Sequence, residues 1–115
     1  ETIAKSDIQL MLVAPCTGNT LAKIAHGITD TPVTMAVKAT LRNNRPVVLS
    51  VSSNDALGAN ARNIGALLNA RHVFFVPFAQ DAPDSKPNSL IADTSLILPT
   101  IKSAMDGVQL QPIFS

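Results

Sequence analysis

The sequence predicts an α/β domain in three layers, a parallel sheet buried between helices. Short aliphatic runs alternate along the chain with segments whose apolar residues recur at helical spacing, the order expected of a doubly wound sheet. Apolar residues make up 46% of the 115, enough for a packed core. The aromatic complement is four Phe with no Tyr or Trp. The core must therefore be built from Ala, Leu, Ile and Val, as is usual where helices pack closely on strands covered on both faces.

Ile8 to Val13 is a near-continuous apolar run that stops at Ala14-Pro15, and it predicts a doubly buried strand. Leu21, Ile24, Ala25 and Ile28 then recur at helical spacing, which predicts a helix from about Asn19 to Gly27, ended by Gly27 and Asp30. Thr31-Pro32 has the form of an N-cap followed by Pro at the first helical position. Val33, Ala36, Val37 and Leu41 supply that helix with an apolar face, and Asn43 and Asn44 close it. Pro46 to Val51 predicts a second buried strand.

Asn54-Asp55 is a turn or cap and Gly58 a breaker. Ile64, Leu67 and Leu68 mark a third helix, from about Ala59 to Ala70. His72 to Pro77 predicts a third strand. Phe78 to Asn88 is polar and proline-bearing, so it is expected to be a loop. Pro99 lies near the first turn of a last helix with Ile101, Ala104 and Met105 on one face and Gly107 as its stop. The tail, Val108 to Ser115, has no period and is expected to pack on a neighbour or trail in solvent. Three strands make a small sheet, and one or two more upstream would complete a doubly wound domain. The chain is therefore expected to be the C-terminal portion of a longer one, as its start at Glu1 rather than Met also suggests.

Several function classes find no support. Nine basic and eight acidic residues give a net charge of +1 with no basic run, so nothing points to nucleic acid. The apolar runs, such as Leu10 to Pro15, are far too short to span a bilayer. A single cysteine, Cys16, rules out an internal disulfide framework, and a cytoplasmic location is the expectation. His26 and His72 lack metal-ligand spacing with Cys16, so no metal is expected. No Walker A, GxSxG, HExxH or GxGxxG pattern occurs.

In an open parallel sheet, ligands sit beyond the carboxyl ends of the strands. That rule points to three loops. The first, Ala14-Pro15-Cys16-Thr17-Gly18-Asn19-Thr20, has the chemistry of a cofactor clamp. Gly18 lets backbone come close to a ligand. Thr17, Asn19 and Thr20 offer short hydrogen-bonding side chains, and the next helix begins there with free N–H groups. A plain helix cap fits the same residues equally well. In the second loop, Ser53, Asn54 and Asp55 could cap a helix or hold a substrate carboxylate, and the cap is the better reading. The third loop, from Phe78 to Asp81 and beyond, reads as a solvated surface. Cys16, beside a helix start that would lower its pKa, reads first as a small packed thiol.

The string APCTGNTLAK, Ala14 to Lys23, resembles the PASANT-type signature of the homo-oligomeric flavin-containing cysteine decarboxylase superfamily. That group includes phosphopantothenoylcysteine decarboxylases, lantibiotic-processing decarboxylases and flavin prenyltransferases. The resemblance implies a flavodoxin-like (Rossmann-like) fold, FMN as cofactor and homo-oligomeric assembly. Over nearly the whole chain the segments GNTLAKIAHGITDTPVTMAVKATLRNNRPVVLSVSSNDALGANARNIG, FFVPFAQDAPDSKPNSLIAD and QLQPI are similar to the B-subunit family of the dipicolinate synthases.

This similarity implies an FMN-binding oxidoreductase subunit. It would work beside a dehydrogenase-like A subunit, turning dihydrodipicolinate or its precursor into dipicolinate in the mother cell of a sporulating bacterium. The residues it implies for the cofactor are Ala14, Pro15, Thr17, Gly18, Asn19, Thr20 and Ser53. Asn54 falls on the Asn of the decarboxylases' PxMNxxM substrate clamp and is the implied catalytic residue. Here that clamp is VSSNDAL, without its Pro and both Met, which argues against cysteine decarboxylation and leaves flavin binding in place. The superfamily's N-terminal phosphate loop and the decarboxylases' catalytic His have no counterpart in the chain. A decarboxylase or flavin prenyltransferase of the same fold, or a non-catalytic scaffold subunit, are the alternatives.

Overall fold

Five consecutive buried residues, Val47 to Val51, mark the strand on which the rest is built. Burial without alternation requires cover on both faces. The computed structural model describes residues 9–114; Ile8, the expected start of the first strand, and Ser115 lie outside them. In chain order the elements are β1 (Met11–Thr17), α1 (Gly18–His26), α2 (Pro32–Arg42), β2 (Val47–Ser53), α3 (Ala61–Leu68), β3 (Val73–Phe75), β4 (Phe78–Ala79), β5 (Leu90–Ala92), a 3-10 turn at Thr94–Leu96 and α4 (Ile97–Met105).

The helices begin and end where their local chemistry directs. Thr17 caps α1 by accepting from the Thr20 amide, and Gly27 ends it at φ 71°, a left-handed value that favours glycine. Thr31 and Thr34 form a reciprocal capping box at the start of α2, with Pro32 in the first turn. α1 packs on β1 and β2 and against α3; α2 covers β1; α4 lies on β2 and β3.

The sheet is mixed rather than wholly parallel. β1 and β3 flank β2 in parallel, and β3 pairs with Val47 to Leu49 only. Beyond Leu49 that edge of β2 is taken by antiparallel β5, which pairs with Ser52 and Ser53, and β4 pairs antiparallel with β5. The cause lies at Pro77. Val76 N–H still donates to Leu49 O at 3.0 Å, but Pro77 has no N–H to continue the ladder, and the chain swings outward. β5 fills the gap.

Four expectations need correcting. The first strand does not stop at Ala14-Pro15: β1 runs through both to Thr17, its register against β2 shifting between Val13 and Cys16 in a bulge. A bulge is one of the places where a strand accepts Pro. The third strand is shorter than His72 to Pro77, because His72 turns the chain at φ 69° before β3 begins. Part of the expected Phe78 to Asn88 loop is β4. The tail does neither of the two things expected of it, since it packs back on its own chain. Gln109 pairs with both backbone groups of Phe75, accepting from its N–H at 2.8 Å and donating to its carbonyl at 2.7 Å. Phe78 N–H donates to Ile113 O at 3.0 Å.

Candidate functional site

Parallel pairing of Cys16 with Val51 and of Thr17 with Ser52 brings the carboxyl ends of β1 and β2 side by side. The chain leaving β1 starts α1 at once, and the chain leaving β2 makes a loop from Asn54 to Asn60 before α3. These two departures meet at Gly18. A Cβ built there would lie 2.8 Å from Asn60 Nδ2, 2.9 Å from Ser53 Oγ and 3.3 Å from an Asp55 carboxylate oxygen. Only glycine permits this approach, and its reason is space rather than backbone conformation.

A connected set of hydrogen bonds stands behind Gly18. Ser53 Oγ donates to Asp55 Oδ1 at 2.7 Å. Asn60 Nδ2 donates to the same oxygen at 3.0 Å and to Gly18 O at 3.3 Å. Asn63 Nδ2 donates to Asn60 Oδ1 at 2.6 Å, which fixes the way the Asn60 amide faces. Asn60 and Asn63 are both buried. The Asn60 amide, and then the Ser53 hydroxyl, hold the exposed Asp55 carboxyl below the usual carboxylate range.

In front of this set lies an open polar cleft of about 360 Å³, lined by Gly18, Asn19, Ala22, Asp55, Ala59, Asn60 and Asn63. It sits at the carboxyl ends of the strands and between two helix starts, as the crevice rule requires. A roomier groove of about 430 Å³ runs between α1 and α2, but it is aliphatic, with Ile24, Ile28, Val37 and Leu41 on its walls, and lies at the far end of α1. The chemistry favours the smaller, polar cleft.

The expected site residues divide accordingly. Gly18 and Asn19 line the cleft, and Ser53 is buried directly behind it under Asp55. Thr17 and Thr20 are neighbours used for capping: Thr17 Oγ1 accepts from the Thr20 amide at 3.4 Å. Ala14 and Pro15 are exposed on the bulge of β1. Asn54 is exposed, outside the cleft's lining, and among the described residues its amide makes no hydrogen bond.

Cys16 is fully buried, and burial pushes its thiol up to about 12. Desolvation outweighs any help from the start of α1, against the lowered pKa that its position suggests. Sequence reasoning missed Asn60 and Asn63 and treated Asp55 only as a cap or a substrate contact. Their local signal is weak, because the contact that matters joins residues far apart in sequence. Among the described residues no group of three or more His, Cys, Asp or Glu could hold a metal ion, and no helix is long and apolar enough to cross a membrane.

An α/β sheet with a polar cleft at its strand ends, between two helix starts, is of the doubly wound class, in which ligands bind at that place. Residues 2–103 match the Flavoprotein family, and the chain belongs to it. The chain is 51% identical over 109 residues to the B subunit of dipicolinate synthase of Bacillus subtilis (strain 168), covering 95% of this chain and 54% of that one. It superposes with a TM-score of 0.95 and 46% identity on the crystal structure of the dipicolinate synthase B subunit from Bacillus halodurans C, covering 97% of this chain and 57% of the other. Its fold is therefore flavodoxin-like. A 41-residue stretch is 49% identical to the flavin prenyltransferase UbiX of Deinococcus radiodurans, over 36% of this chain and 21% of that one. The chain spans about half the length of the two dipicolinate synthase chains it matches.

Flavoprotein membership implies a flavin, and the cleft's donor set suits the ring of one. The polar edge of an isoalloxazine alternates carbonyl, N–H and carbonyl. Free amides at the start of α1 and the Asn19 side chain can donate to the carbonyls, and Asp55 can accept from the N–H. Among the described residues no Lys or Arg lines the cleft to add to the pull of the helix start on a phosphate.

Proposed function

We propose that this chain carries the ring-binding part of an FMN-dependent subunit that acts with a dehydrogenase-like A subunit to form dipicolinate. The substrate would be dihydrodipicolinate or its precursor, and the setting the cytoplasm of the mother cell of a sporulating bacterium. The observation that supports this most is the superposition, over almost all of the chain, on a solved dipicolinate synthase B subunit. When bound, FMN supplies a two-electron acceptor next to the substrate. The chain's own residues bind and orient. Gly18 and Asn19 present the amide end of α1 to the ring, with Thr17 and Thr20 holding that first turn in shape. Ser53 fixes Asp55 from behind.

The free amide of Asn54, exposed beside the cleft, is available to a substrate carboxylate. Ala14 and Pro15 form an exposed shelf on β1 against which a flat ring could lie. The protein would assemble as a homo-oligomer, as large apolar side chains at Leu57, Leu68 and Leu98 stand in solvent.

The test uses the full-length protein. Mixed with FMN and desalted, it should be yellow, and dipicolinate should accumulate only when the A subunit is added. Asn19→Ala should weaken flavin retention and Asn54→Ala should slow turnover with flavin retained. Protein left colourless after incubation with excess FMN and desalting would refute the flavin assignment. Full activity in both variants would favour a scaffold role instead.

A further inference from the structure

We propose that Asp55 is the charge filter of the cleft: it accepts from an uncharged, N–H-bearing ring edge and turns phosphate and carboxylate groups away from the amide end of α1. The proposal rests on the flavin reading above and adds a specificity-determining residue to it. Left to itself, the start of a nine-residue helix with free N–H groups attracts anions. Asp55 cancels that preference. Its carboxylate lies within 3.3 Å of the position a Gly18 Cβ would occupy and lines the same cleft as Gly18 and Asn19.

The carboxylate is also well fixed. Oδ1 is held by two donors, Ser53 and Asn60, and Asn60 is itself anchored by Asn63. Among the described residues no hydrogen bond reaches Oδ2, so one full acceptor remains for a ligand. Those two donors favour the ionised form and keep the charge in place at neutral pH. At an exposed site the repulsion between two unit charges is of the same order as the attraction of one helix terminus, enough to cancel it. Among the described residues no cation lines the cleft to offset that repulsion. A dicarboxylate substrate would accordingly approach from the Asn54 side, and a flavin phosphate would lie outside this cleft.

The experiment compares the full-length protein with Asp55→Asn and Asp55→Glu, using two probes: lumiflavin, which carries no phosphate, and inorganic phosphate. Lumiflavin binding is read by fluorescence quenching, phosphate binding by amide shifts at Gly18 and Asn19, and the fold by thermal midpoint. Asp55→Asn should weaken lumiflavin by about tenfold and tighten phosphate by about tenfold, the scale of one surface charge contact. Asp55→Glu should keep phosphate excluded. Unchanged binding of both probes in Asp55→Asn would overturn the proposal. Wild-type protein that ignores lumiflavin, while Asp55→Asn gains phosphate, would sink the flavin reading and leave the filter standing. Should Asp55→Asn fail to fold, Asp55→Ser carries the same two arms.

Discussion

Gly18→Ala isolates the contact on which the cleft depends. In an open helix start, Ala in place of Gly would stabilise by about 0.5–1 kcal/mol through the entropy of the unfolded chain. Here the added methyl would lie 2.8 Å from Asn60 Nδ2 and 2.9 Å from Ser53 Oγ, too close for either to stay. Ser53 is buried on β2, and Asn60 is buried and tied to Asp55 and Asn63. Moving Asn60 breaks its hydrogen bond to Gly18 O, worth about 1 kcal/mol net. Overpacking adds about 1–3 kcal/mol. After the propensity gain is subtracted, the variant should be less stable by about 1–3 kcal/mol, and its thermal midpoint should fall by roughly 4–8 °C per kcal/mol.

The chain has no Trp or Tyr, so unfolding is best followed by far-UV circular dichroism in urea rather than by intrinsic fluorescence. Asn60→Ala in the Gly18→Ala background should recover part of the loss, since it clears the nearest obstacle. A Gly18→Ala protein as stable as the parent, or more so, would show that helix entropy governs this position and that the start of α1 does not meet Ser53 and Asn60 as described.

Other perturbations test other joints. Thr31→Ala removes one half of the capping box on α2 and should cost about 1 kcal/mol in urea unfolding. Gln109→Leu leaves the N–H and carbonyl of Phe75 without their partner; a loss of about 2 kcal/mol and early hydrogen exchange at Phe75 are expected. Cys16 should not react with a thiol reagent at pH 8 until denaturant is added. Because its folded pKa is raised to about 12, the stability this burial contributes is complete below the ordinary thiol value of about 8.5 and should be lost as pH rises from there towards 12. Asp55 has the opposite sense. Its folded pKa is lowered, so its contribution is present above about pH 4 and lost as pH falls through the lowered value, and Asp55→Asn should flatten that acid limb of the stability curve.

Much of this architecture is legible residue by residue. Thr31-Pro32 announces α2 because capping chemistry is local, and Gly27 ends α1 because a left-handed residue is needed at that point. The unbroken Val47 to Val51 run reads as a doubly covered strand. What escapes is set by distant partners. Pro15 reads as the end of a strand, yet the bulge against β2 carries β1 past it. β5 is three residues long with Ile91 exposed, too short to show a period, and is placed by the edge of β2 that Pro77 leaves vacant.

At the cleft, Gly18 and Asn19 were legible because turn chemistry marks them. Asn60 and Asn63 were not, because their meaning comes from meeting Gly18 and Asp55 in space. Cys16 shows the same limit: its neighbours in sequence point one way, and the core that encloses it points the other.

The bulge in β1 also sets how far anything can add to this side of the sheet. Among the described residues β1 pairs only with β2, and Met11 N–H is turned to Pro46 O on that side, so the outer edge offers backbone groups from Leu12 onward. Pro15 withholds an amide and the bulge tilts the strand. A neighbouring strand can therefore zip along Leu12 and Val13 but loses its partner groups beyond them. The last stretch of β1, next to the crevice, stays unzipped, and its carbonyls remain available to whatever enters there.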